Sequence, residues 1–231
     1  VISGTGGLTK IGAGTLTLSS AHTYTGPTTV GAGTLALDST RSGGDFTLTG
    51  GTLDLGAFAQ TFGTLTLAGG AFANGTVSTG TLSLSAGSLA LPVTATGGVN
   101  VTGTFTVSTG GNVTATAAPL LVEQSGGPAS LTVAAGSLTA ARADIGVTAG
   151  TAGSLSLSSG TFTTAGNVSV GGAGTGTFTV SGGTASADKI LLGYGGGTGS
   201  LSLTGGTFTT ATIERWSNAS GASFSGGTLR A

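Results

Sequence analysis

Seven carboxylates and one histidine are the side chains of this 231-residue sequence best suited to acid–base or metal chemistry. The acids are Asp38, Asp45, Asp54, Glu123, Asp144, Asp188 and Glu214. Glycoside cleavage needs two carboxyl groups facing one bond, and metal catalysis needs several ligands on one face. These acids are dispersed, so only a fold that repeats could bring any of them together. Asp144 falls near the register of Asp188 two periods back, and Glu214 lies about one period beyond Asp188. That is too little for a cleft, and each has a neighbouring cation: Arg142 for Asp144, Lys189 for Asp188, Arg215 for Glu214. The acids are therefore read as solvated surface charges. His22 is alone, which excludes a multi-histidine metal site and leaves no triad to build. It is read as a polar residue that steadies a turn. The glycine runs 171–176 and 195–199 hold neither the Asp of a calcium-binding repeat nor the Lys of a phosphate loop. No catalytic, metal or cofactor-binding residue is assigned. No enzyme activity and no cofactor are expected.

The elements that carry these residues repeat. Four-residue runs begin at Ser154-Leu155-Ser156-Leu157, Thr177-Phe178-Thr179-Val180 and Ser200-Leu201-Ser202-Leu203, a period of 23 residues. Each is followed by a glycine break, a second short strand (161–164 in the clearest copy), another break and a third (168–170). Apolar residues alternate with Ser or Thr, so one side of every strand is buried and the other wet. Three strands per period at fixed spacing predict a three-sided β-solenoid of roughly ten turns, a rod on the order of 50 Å long at about 4.8 Å per turn.

Composition agrees with that reading. Glycine supplies 48 residues, Ser and Thr together 71, and charged residues only 6%. Mean hydropathy is +0.42, too apolar for a disordered glycine-rich chain. The net charge of −1 comes from scattered residues, which excludes a nucleic-acid surface. No apolar run approaches the roughly 20 residues of a membrane helix, and the strands are too short and poor in aromatics for a membrane barrel. Cysteine is absent. All five asparagines precede Ser or Thr by two, a weak signal in so hydroxyl-rich a sequence.

The first half uses the same vocabulary less regularly, with strands at 15–18, 34–37, 52–55, 64–67, 81–84 and 104–107. One domain spans 1–231: repeats over 1–116, a loop over 117–128 that holds Pro119 and Pro128, and regular 23-residue turns over 129–231. The stretch Gly7-Leu-Thr-Lys-Ile-Gly-Ala-Gly-Thr-Leu-Thr-Leu-Ser-Ser-Ala-His-Thr-Tyr-Thr-Gly-Pro-Thr-Thr-Val, continuing to Leu37, resembles the passenger-associated repeat of bacterial autotransporters. That family reads approximately GLTKxGxGTLTLSGxNTYTGxTTVxxGTLxL. His22 stands where it usually has Asn, and Pro27 where it usually has Gly. The resemblance implies a right-handed parallel β-helix, exported and displayed at a cell surface. No strand pattern of a membrane barrel follows within these 231 residues.

Function is then expected at the ends and the outer faces. The repeat begins at Val1-Ile2 and runs to Leu229-Arg230 with no capping segment. Either a longer rod or another copy is expected to cover the open turns. Counting 23 from Leu192 sets Arg215 at an inward position, so at Glu214-Arg215-Trp216 either the register slips or the interior becomes polar. The expected end-to-end interface comprises Val1, Ile2, Glu214, Arg215, Trp216, Phe224, Leu229 and Arg230. Ser154, Ser156, Thr177, Thr179, Ser200 and Ser202 form an outward hydroxyl ladder, which accounts for the Thr-x-Thr pairs better than ice binding does. The expected role is a non-enzymatic extracellular structural protein that self-associates into a fibre or surface layer. The alternative is an adhesin passenger that binds surface glycans. A carbohydrate-active enzyme ranks third.

Overall fold

A strand of three or four alternating residues cannot bury its apolar side alone, so it stacks on the equivalent strand of the next turn. The computed structural model describes residues 1–41 and 43–231, and every regular element among them is a β-strand. One parallel sheet, here called the spine, passes through every turn. Its rungs begin at Leu8, Thr28, Phe46, Leu65, Leu82, Val99, Leu120, Ala143, Val168, Ile190 and Ile213, each paired with the next. The chain is thus an all-β parallel solenoid of eleven turns, one more than the expected ten.

Two further faces close the prism. The second face stacks Thr15–Leu18, Thr34–Leu37, Thr52–Asp54 and Ala71–Ala73. It resumes with 86–89 on 104–107, followed in turn by 130–133, 154–157, 177–180, 200–203 and 221–224. The third face begins with Ser3–Gly4 on Thr23–Tyr24. Farther along, Leu138, Phe162, Ala185, Phe208 and Leu229 share one of its inward columns.

The three inner faces meet in one apolar core. Its rings pack across the interior rather than along one column. Phe178 of the second face lies edge-on between Phe162 and Phe208 of the third, at centroid distances of 5.4 and 5.7 Å. All three side chains are fully buried.

The 23-residue register is as read, with Ser154, Thr177 and Ser200 in line. Turn length elsewhere varies, from 17 residues between Leu65 and Leu82 to 25 between Ala143 and Val168. The Thr-Leu-x-Leu runs do not all share one face. Those at 15, 34 and 52 lie on the second face, whereas those at 64 and 81 lie on the spine. Alternation satisfies any inner face equally, so the motif alone carries no face label.

The predicted loop over 117–128 is corrected. Leu120–Val122 is a spine rung, with Leu120 and Val122 fully buried between Val99–Val101 and Ala143–Ile145. The two prolines bracket this rung without breaking it. The Pro119 carbonyl accepts from the Val99 N–H at 3.1 Å, and Pro128 opens the next strand beside Ala152. Only the segment 123–127 leaves the stack, and there Gln124–Ser125 runs antiparallel to Thr151–Ala152.

Candidate functional site

At the N-terminal end Val1 and Ile2 are exposed, 86% and 41%. At the C-terminal end Phe224 stacks on Leu203 and Leu229 on Phe208, both inward columns. With no rung above them, they are 50% and 45% exposed. Arg230 pairs with Thr209 and stands exposed on the outer side of the same strand.

Lys10 occupies the inward column of Val30 and Leu48 in the first rung, and Arg215 that of Leu192 in the last. Lys10 is buried, and its Nζ donates to the carbonyls of Gly12 (2.7 Å), Ile11 and Ala32 (both 3.0 Å). Its stem lies along the core while its charge satisfies corner carbonyls.

At Glu214–Trp216 the register holds: Arg215 pairs with Leu192 in line with the inward column, and its side chain is exposed. The Trp216 N–H donates to the Leu192 carbonyl at 2.9 Å, continuing a corner column of Gly146, Gly171 and Gly193. Those glycines have φ of 60°, 65° and 70°. A Cβ on Gly171 would lie 1.8 Å from the Thr198 carbonyl oxygen. Tryptophan cannot adopt that corner, so the chain departs from it after residue 216 and the ring swings outside. There it meets Tyr194 edge-on at 5.2 Å, and its Nε1 donates to Glu214 at 3.2 Å. Trp216 therefore belongs to the flank of the rod, not to the end surface in which it was expected.

The hydroxyl positions stack as read: Ser154 under Thr177 under Ser200, and Ser156 under Thr179 under Ser202. They are aligned but not bonded to one another. The side-chain bond in this column among the described residues is Ser223 with Ser202 at 3.4 Å. Backbone pairing holds the rungs, and the hydroxyls face water.

The acids remain dispersed, and of the expected pairs Arg142–Asp144 forms while Lys189 takes a different partner. Arg142 Nε pairs with Asp144 at 3.1 Å. Lys189 pairs with Glu214 at 3.5 Å, rather than with Asp188. Asp144 shares its outward row with Ser169, Leu191 and Glu214, whereas Asp188 lies off that row. Burial pushes the Asp144 carboxyl above the usual range, against the opposing pull of Arg142. Glu123 does structural work at the excursion. Its carboxylate accepts from the N–H groups of Val147 and Thr148 (both 3.0 Å) and from the Thr148 and Thr151 hydroxyls (2.8 and 3.2 Å). Burial raises its pKa, but these four bonds together outweigh burial and hold it below the ordinary value.

His22 accepts from the Ile2 N–H through Nδ1 at 2.8 Å and so pins the first strand. Burial, the chain's amino terminus and Arg41 all lower its pKa, favouring the neutral ring that this bond requires. One feature gave no signal in sequence. Arg41 is buried over the Tyr24 ring, 4.0 Å from its centroid, and donates to Tyr24 Oη and Thr28 Oγ1. A lone arginine among glycines and hydroxyls reads as a surface charge, and only the packing reveals otherwise.

Two overlapping segments, residues 8–37 and 31–55, match the family model of the passenger-associated transport repeat. They run from the first spine rung through the third strand of the second face. No characterised protein and no solved structure matches the chain. The family implies a secreted or surface-exposed protein.

Proposed function

We propose that this chain, whose residues 8–55 are passenger-associated transport repeats, is a non-enzymatic structural section of an extracellular or cell-surface solenoid that stacks end to end with copies of itself into a fibre or layer. The observation that carries the reading is the regular stack: the spine rungs from Leu8 to Ile213 pair in parallel one on the next, and their inward side chains join one apolar core. Each rung is a template for another, so apolar burial and backbone pairing both favour adding one. Dispersed carboxylates support the absence of catalysis.

Stacking that continues the spine seats Leu8–Lys10 of one copy on the Ile213–Arg215 rung of the next. Two cations then share a column, so association should strengthen as salt screens them. The test is sedimentation and electron microscopy of the purified chain. The expected result is filaments with an axial repeat of about 50 Å, favoured by high salt and abolished by Phe224→Asp with Leu229→Asp. A monodisperse monomer at high concentration and high salt would overturn the reading.

A further inference from the structure

Sugars present apolar C–H faces and a rim of hydroxyls, so a protein site for them combines an exposed ring with fixed donors and acceptors. The spine's outer face carries that combination. Tyr194 and Trp216 are 60% and 58% exposed, whereas Phe162, Phe178 and Phe208 are buried. Beside Tyr194 opens a cleft of about 400 Å³ lined by Arg142, Asp144, Ser169, Gly172 and Tyr194. Asp144 is 8% exposed and held by Arg142, so its oxygens are fixed in place.

We infer that this cleft, with Tyr194 as its apolar wall and Trp216 packed edge-on against Tyr194, binds a neutral oligosaccharide. The neighbouring charges cancel, Arg142 against Asp144 and Lys189 against Glu214. A surface without net field suits an uncharged ligand and not a polyanion. The outward row extends from Asp144 back through Leu121 and Asn100 to Ser83. A second cleft of about 350 Å³, lined by Ser83, Asn100, Leu121 and Glu123, lies on the same row. A chain of sugars laid along the rod would meet new side chains at each rung. Binding is favoured over cleavage because three rungs separate Asp144 from Glu214, about 14 Å at 4.8 Å each. Two glycosidase carboxylates stand roughly 5 to 9.5 Å apart. The site gives a residue-level basis to the adhesin alternative. It lies on the flank, so its failure and that of end stacking are separable.

Trp216 is the sole tryptophan, which makes its fluorescence a direct reporter. Cellohexaose, maltohexaose, chitohexaose and mannohexaose would each be titrated into the purified chain at millimolar concentration, with a polyuronate as the anionic arm. At least one neutral hexaose should give a saturable change, weakened tenfold or more by Tyr194→Ala and by Asp144→Ala. Phe58→Ala, at an exposed ring elsewhere, should leave it unchanged. Circular dichroism checks that each variant folds. The inference is overturned if no neutral sugar binds, if only the polyuronate binds, or if Tyr194→Ala leaves affinity intact. A change of oligomeric state in Tyr194→Ala without any sugar response would mark the flank as a lateral contact between copies, which also overturns it.

Discussion

The cross-interior ring stack can be separated from ordinary core burial by one pair of substitutions. Phe178 and Phe105 occupy the same inward column of the second face, linked through Leu131 and Leu155. Both are fully buried, at 0% and 1% exposure. Phe178 lies edge-on to Phe162 and Phe208, whereas Phe105 has no ring partner among the described residues. Leucine keeps most of the volume at either site, so the packing cost common to both should stay below about 1.5 kcal/mol. An edge-to-face pair adds about 0.5–1.5 kcal/mol beyond burial. Two such pairs make Phe178→Leu more costly than Phe105→Leu by about 1–3 kcal/mol, or roughly 5- to 150-fold in the local folding constant. Solenoids can open in segments, so guanidinium unfolding should be paired with hydrogen exchange at the amides of the rungs around 162, 178 and 208. Equal costs at the two sites, within about 0.5 kcal/mol, would refute an energetic role for the ring stack.

Two further outcomes follow from the corners. Gly171→Ala places a methyl group 1.8 Å from the Thr198 carbonyl oxygen at a φ of 65° and should cost more than about 3 kcal/mol. Gly196→Ala, at a φ of 88° with open space around the added carbon, should cost only about 1 kcal/mol, read by urea unfolding. Because Glu123 titrates below its ordinary value in the folded chain, its contribution is complete above that value and is lost as pH falls through the folded pKa. Glu123→Gln should therefore cost about 1 kcal/mol at neutral pH and flatten the decline of stability in acid. An unchanged acid slope in unfolding curves would contradict that assignment.

Much of the architecture was legible because its physics is local. Alternation at 154–157, 177–180 and 200–203 requires a strand with one buried side, glycine breaks require corners, and a fixed period requires stacking. The passenger-type repeat at the N-terminal end was readable for the same reason, being a contiguous run of residues. The dispersal of the acids was legible too, since they are far apart in sequence, but which of them share a row was not: Asp144 aligns with Glu214 and not with Asp188.

What only the tertiary structure decided depends on contacts across turns. The face that a Thr-Leu-x-Leu run occupies follows from the lengths of preceding turns, which vary from 17 to 25 residues. The rung at Leu120–Val122 was hidden by flanking prolines and exists because its neighbours on the spine bury it. Nothing in the sequence marked Lys10 or Arg41 for burial; packing sets Lys10 in the inward column of Val30 and Arg41 over the Tyr24 ring. Trp216 was assigned to the end of the rod by counting. It lies on the flank because a corner built for left-handed glycine excludes a side chain, and that constraint is set by the carbonyls of the adjoining strand.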